Sequence, residues 1–245
     1  MDQLPTRDLL LTMITLLTCT GDRPRLFRRL ESWMARQSLR WSNWIVVDDG
    51  IRKTECTLSQ RYIRLPPGLP PSASFARNLS TGLHEQDELP DSELIFIIED
   101  DDWYGPNYLA SLLIALMTKE LVGESYFRYY NVSERSYHHC RNEHHAALCA
   151  TAFHATIIPR IISCIDENDV YLDLRIWSQL NCSKHLQRTN HCVGLKAQDG
   201  RPGLSWGHKS STFHADPNGV VLKKWIGDDA LDVFDSARYV GDSPG

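Results

Sequence analysis

The run Glu99-Asp100-Asp101-Asp102 puts carboxylates at four consecutive positions, after the apolar stretch Leu94-Ile95-Phe96-Ile97-Ile98 and before Trp103-Tyr104. Ionised acids cannot be taken out of water unpaired without a cost of several kcal/mol each. A strand that ends in a cleft, with its acids around a divalent cation, removes that cost, because hard cations take oxygen ligands. Two further groups share this character. Asp48-Asp49-Gly50 follows the apolar Trp44-Ile45-Val46-Val47, and Arg77-Asn78 falls in the first turn of a predicted helix. Open α/β sheets bind ligands at the carboxyl ends of their strands. There Asp48 or Asp49 can accept hydrogen bonds from a base or ribose, and Arg77 can neutralise a phosphate. The run 99–102 can hold Mn²⁺ or Mg²⁺ and through it a diphosphate. Singly, Asp-Asp-Gly reads as a turn and a row of aspartates as a solvated cap; three such groups at matching element ends read as a site.

The elements that must position them alternate. Leu9 to Thr18 suits a buried first strand rather than a leader, since Asp2 and Asp8 precede its apolar stretch and no small-residue cleavage site follows. Pro24 suits the first turn of a helix in which Leu26, Phe27, Leu30, Trp33 and Met34 share a face. Strands follow at Trp44 to Val47 and Tyr62 to Leu65. Ser74 is placed to cap a helix carrying Phe75, Ala76, Leu79 and Leu83. Leu94 to Ile98 reads as a strand buried on both faces, and Pro106 opens a helix over Tyr108 to Met117. Strand–helix alternation predicts a mostly parallel central sheet flanked by helices. Beyond it, Ser125 to Val132 and Leu148 to Ile158 read as strands, Asp173 to Leu180 as a helix, and Ala197 to His208 as a Gly-rich mobile loop. A break near Val122 to Glu124 divides residues 1–122, a nucleotide half, from residues 123–245, an acceptor half, within one domain.

Composition bounds the partners. At 245 residues and 42% hydrophobic, the chain can bury a substantial core, and it has no membrane-spanning run. The net charge of −5, with no basic block, gives no positive sign of a nucleic-acid partner. The seven cysteines, an odd number without CxxC spacing, read as reduced thiols of a cytoplasmic protein rather than a zinc cluster or a disulfide framework. His138-His139 and His144-His145 lack zinc-site spacing and read as the rim of an acceptor cleft. Trp103 suits either stacking on a sugar or core packing.

Taken in order, these elements resemble a family 2-type glycosyltransferase of the GT-A fold. The resemblance rests on a first strand with Arg23-Pro24 and an amphipathic helix, Asp48-Asp49-Gly50 after a strand, Ala76-Arg77-Asn78 at a helix start, and Glu99-Asp100-Asp101-Asp102 followed by Pro106. It covers roughly the first 120 residues and weakens after them. It implies a nucleotide-sugar donor, UDP-linked in the first place, and Mn²⁺ or Mg²⁺. Asp101 would be the main metal carboxylate with Asp102 as the alternative, according to whether the motif runs Glu99–Asp101 or Asp100–Asp102; Glu99 stands where the family has Asp. Glu99 and Asp100 would then lie on the donor, Asp48 or Asp49 on the base, Thr18 and Thr20 around the base pocket through backbone groups, and Arg77 beside the base or phosphates.

By the same resemblance, Asp166 to Arg175 supplies the acceptor's general base. Asp173 is the candidate and Asp169 the second, with a helix cap or a pair with Arg175 as the plain alternative. His208, in the loop Gly200 to Lys209, would return to the metal, with His214 the weaker choice and Arg201 and Lys209 offsetting negative charge. The expected activity is metal-dependent transfer of a hexosyl or pentosyl group to a hydroxyl on a glycan, lipid carrier, protein or modified nucleic-acid base. A nucleotidyltransferase is the first rival, disfavoured by the single Gly in Thr18 to Pro24. A non-catalytic sugar- or metal-binding module of the same fold is the second.

Overall fold

The computed structural model describes residues 13–85, 90, 92–166, 171–201 and 213–238. Seven strands form the central sheet: β1 (Ile14–Thr20), β2 (Asn43–Asp48), β3 (Arg61–Arg64), β4 (Leu94–Ile97), β6 (Leu121–Glu124), β9 (Thr151–His154) and β10 (Lys184–Gln187), in the order β10-β6-β9-β4-β1-β2-β3. All its pairings are parallel except those of β9, which runs antiparallel to β4 and β6. The predicted mostly parallel sheet is therefore observed.

Alternation along the strands sorts the core into two layers. Leu16, Trp44, Val46 and Phe96 face α1 (Pro24–Met34) and α3 (Tyr108–Leu116), meeting Phe27, Leu30, Tyr108 and Leu112. Leu17, Ile45, Val47, Ile95 and Ile97 face the opposite way. They meet Leu79 and Leu83 of α2 (Pro71–His84), Ile161 of α4 (Ile158–Cys164), and Ile176 and Trp177 of α5 (Leu172–Gln179). Side chains two apart share a sheet face, so an unbroken apolar run feeds both layers, as β4 does with all four residues buried.

A second, five-stranded sheet contains β5 (Trp103–Tyr104), β7 (Tyr126–Asn131), β8 (Ser136–Arg141), β11 (Cys192–Lys196) and β12 (His214–Ala215), in the order β12-β8-β7-β11-β5. Two C-terminal helices, α6 (Val220–Ile226) and α7 (Asp229–Arg238), close its apolar side, where Leu222, Ile226 and Val233 join Tyr130, Val193 and Leu195. Glu124, at the end of β6, accepts the backbone N–H groups of His191 and Cys192 at 2.9 Å each and so anchors the start of β11.

Some expectations change. Leu121–Glu124, where the two halves were expected to meet, is a strand of the central sheet. The predicted strand Leu148 to Ile158 shrinks to Thr151–His154 between short 3-10 turns. The helix expected to begin with Ser74 as its cap begins at Pro71, which leaves the Ser74 hydroxyl for another partner. Trp103 is buried, and its Nε1 donates to Asp229 Oδ2 at 2.8 Å, so it packs in the core. All seven cysteines are free thiols.

Candidate functional site

Strand register brings the polar groups together. In β1, Leu17 pairs with Ile97 and Thr20 with Asp48, so three residues past the last β4 pairing Thr20 arrives level with Asp100. Its hydroxyl donates to Asp100 Oδ2 at 2.6 Å. Thr20 thus stands between the two acidic strand ends. Thr18, one step back on the same face, is fully buried, and its hydroxyl accepts from Trp44 Nε1 at 3.0 Å within the core.

The neighbours Asp48 and Asp49 differ in surroundings although both are fully buried. Asp48 is consumed by the fold. It accepts from Gly50 N and Thr54 N at 2.8 Å each and from the Tyr62 hydroxyl at 2.5 Å, and it pairs with Arg64 at 2.9 Å. Asp49 turns to groups arriving from other elements: Ser74 of α2, Arg77 Nη2 at 3.1 Å, and Arg201 Nη2 at 2.7 Å. Burial alone would raise the Asp49 carboxyl. Hydrogen bonds from Arg201, Ser74 and Asn78 outweigh it and hold the pKa below its ordinary value.

The second acidic cluster carries its own cations. Arg23, at the N-cap of α1, places Nη1 3.0 Å from Asp100 Oδ1 and 2.8 Å from Asp101 Oδ2. Asp102, fully buried, accepts Leu195 N at 2.9 Å and pairs with the buried Lys196 ammonium at 3.0 Å. Burial pushes Glu99 up to about 8, with the Asp102 charge adding to it, and pushes Asp100 up to about 6 against the pull of Arg23. For Lys196, burial disfavours the charge, but Asp102, Asp101 and Glu99 outweigh it and hold the ammonium well above its ordinary pKa.

The segment after β11 lies across this edge. Ala197 takes a positive φ of 56°, and Gln198 Nε2 then donates to the Asp101 carbonyl at 2.6 Å, while its oxygen accepts from Arg29. Gly200, at φ +91°, sits where a Cβ would fall 2.7 Å from Arg23 Cγ. Ser74, Arg23, Lys196 and Gln198 were not predicted as site residues. Arg23 was visible only as half of an Arg-Pro pair, and Lys196 and Gln198 carry no local motif because chain topology delivers them.

Asp173 lies in the first turn of α5, accepts the Leu174 N–H at 2.8 Å, and acts electrostatically on His145. His208, Lys209 and Asp169 lie outside the described residues. His139 packs against Trp225 on the second sheet, ring centroids 5.0 Å apart.

The acids can be tested against a cation. Ligand atoms of Glu99, Asp102 and Cys149 lie within 4.8 Å of one another. A thiol is a poor ligand for Mg²⁺ or Mn²⁺, and Lys196 already fills one side of Asp102. Asp100 and Asp101 offer an all-oxygen pair, the donor type that suits a hard divalent cation, and Arg23 occupies that pair as Lys196 occupies Asp102.

No family model matches the chain, and no curated protein matches it. Among solved structures, S. aureus TarS residues 1–349 in complex with UDP is 10% identical with a TM-score of 0.50, covering 76% of this chain and 61% of that one. The fold is glycosyltransferase-like. TarS 1–349 alone and a longer TarS chain are each 11% identical with TM-scores of 0.49, covering 75% of this chain and 60% and 36% of theirs. This chain therefore spans between about a third and three fifths of the TarS chains it matches. Among the described residues, no helix is long and apolar enough to cross a membrane.

Proposed function

We propose that this protein is a metal-dependent glycosyltransferase that takes a sugar from a nucleotide-sugar donor, UDP-linked in the first place, to an acceptor hydroxyl. The observation that carries the reading is the convergence of Asp49, Arg77 and Arg201 with Arg23, Asp100 and Asp101 on the carboxyl edge of β1, β2 and β4. A nucleoside diphosphate offers base N–H donors and a diphosphate, and this edge offers a buried carboxylate and three guanidinium groups to meet them. The UDP of the TarS complex supports uridine over guanosine.

Asp101, with Asp100, would hold Mn²⁺ or Mg²⁺, which when bound supplies charge to the leaving diphosphate. Asp49 would accept from the base, and Arg77 and Arg201 would bind phosphate oxygens. Thr20 would orient Asp100. Asp173 would take the proton from the acceptor hydroxyl as it attacks the anomeric carbon, as an inverting reaction requires. His208 would add an imidazole ligand to the metal. The setting would be cytoplasmic and reducing, as seven cysteines without CxxC spacing suit.

The test is a screen of UDP-sugars and GDP-sugars with Mn²⁺, reading released nucleoside diphosphate. Turnover of a UDP-sugar, even slow hydrolysis without an acceptor, supports the reading. Binding without turnover over a full acceptor panel moves weight to a non-catalytic module. Pyrophosphate-dependent formation of nucleoside triphosphate identifies a nucleotidyltransferase instead.

A further inference from the structure

The acids of the candidate metal site are not waiting in water. A single Arg23 nitrogen bridges Asp100 and Asp101, at 3.0 and 2.8 Å. Hard divalent cations seek such a pair of carboxylate oxygens, and the seat is taken by a charge that belongs to the protein. Arg23 is anchored at the start of α1, and Gly200 leaves it room, since a Cβ there would fall 2.7 Å from Arg23 Cγ. Its Nε is buried without a hydrogen-bond partner among the described residues, and so is the Nε of Arg77 at the neighbouring strand end. Buried donors of a charged group are costly to leave unmet. Two of them on one edge point to an anion that takes them up when it arrives.

We infer that Arg23 is an exchangeable counter-ion, which holds Asp100 and Asp101 while the donor site is empty and passes to the diphosphate when metal and nucleotide enter together. The inference rests on the donor-site reading above. Metal alone must strip Arg23 from both carboxylates and leave a guanidinium without a counter-charge, so it binds weakly. Nucleoside diphosphate alone meets the guanidinium while it is still held. Together, each ligand supplies what the other displaces, so metal and nucleotide bind cooperatively. Such coupling is reciprocal: UDP tightens metal binding by the factor by which metal tightens UDP.

The experiment titrates Mn²⁺ into the full chain by electron paramagnetic resonance, with and without saturating UDP, for the wild type and Arg23→Gln. For the wild type, UDP is expected to tighten Mn²⁺ about tenfold or more. In Arg23→Gln, Mn²⁺ alone is expected to bind about tenfold tighter than to the wild type, and the gain from UDP to shrink by a similar factor, the worth of one charge-assisted contact. If Arg23→Gln melts early, Arg23→Met, which keeps the apolar stem and removes the charge, is expected to shift the same way. Equal Mn²⁺ affinity in wild type and variant, with UDP coupling unchanged, overturns the exchange while leaving the transferase reading in place. No Mn²⁺ binding to any form, with or without UDP, overturns the donor-site reading and the exchange with it.

Discussion

Lys196 Nζ lies 3.0 Å from Asp102 Oδ1, and both residues are buried, although 94 positions separate them in the chain. This pair ties the end of β11 to the acidic turn after β4 and fixes which aspartate is spoken for. Removing one partner of a buried pair leaves an uncompensated charge and costs about 3–5 kcal/mol. Asp102→Ala is therefore expected to lower stability by that amount in a denaturant titration. Asp101→Ala, which leaves Arg23 paired with Asp100 and removes one of four crowded carboxylates, is expected to cost clearly less than Asp102→Ala. Equal losses would show that Asp102 is not the structural member of the motif.

Asp48 and Asp49 should separate in the same way. Asp48 is held by four groups of its own neighbourhood, so Asp48→Asn is expected to cost about 1–3 kcal/mol of stability through its charged contacts. Asp49→Asn is expected to weaken UDP binding about tenfold or more, with a smaller change in melting. Calorimetric affinity and melting temperature, measured on both variants, check the division. A binding defect confined to Asp48→Asn would reverse the assignment.

The acidic turn also predicts a pH response. Glu99 has its pKa raised to about 8 in the folded chain, by burial first and the Asp102 charge second, so the folded state holds a proton that the unfolded state releases at lower pH. The folded state thus binds more protons between the ordinary glutamate range and about pH 8, and stability falls as pH rises through that window. In metal-free buffer the melting temperature is expected to decline from pH 6 to pH 9, and Glu99→Gln to flatten the decline. A rising melting temperature over that range would contradict the burial of this charge.

Asp173 is the proposed base, and its replacement should show in the chemistry and not in donor binding. Asp173→Asn is expected to lower kcat for transfer about 100-fold or more, the usual worth of a positioned general base, with UDP affinity unchanged. Full transfer by this variant would return Asp173 to the role of a residue in the first turn of α5.

The sequence carried the central sheet because its signals are local. Apolar runs such as Leu94 to Ile97 end in acids, and helices open at Pro24 and just after Pro106. The first-half cluster was readable for the same reason, since parallel strands put Asp49, Asp100 and Asp101 on one edge. What local pattern could not give is the partner of each acid. Arg23, Lys196, Gln198 and Arg201 reach the edge from a helix cap and from β11 and the segment after it, brought there by topology. Of the second sheet, β7 was legible as the expected strand Ser125 to Val132, whereas β5 and β12 are two residues long and have no periodicity to read. Ser74 illustrates the limit: a good cap by type, it lies inside a helix opened by Pro71 and donates to Asp49 instead.

The most direct test of the account is a calorimetric titration of UDP and of GDP into the protein, with and without Mn²⁺, repeated on Asp101→Ala. The account predicts that UDP binds, that Mn²⁺ strengthens it, that GDP binds more weakly, and that Asp101→Ala removes the Mn²⁺ effect. Failure of both nucleotides to bind under any metal condition, with the protein folded, would contradict it.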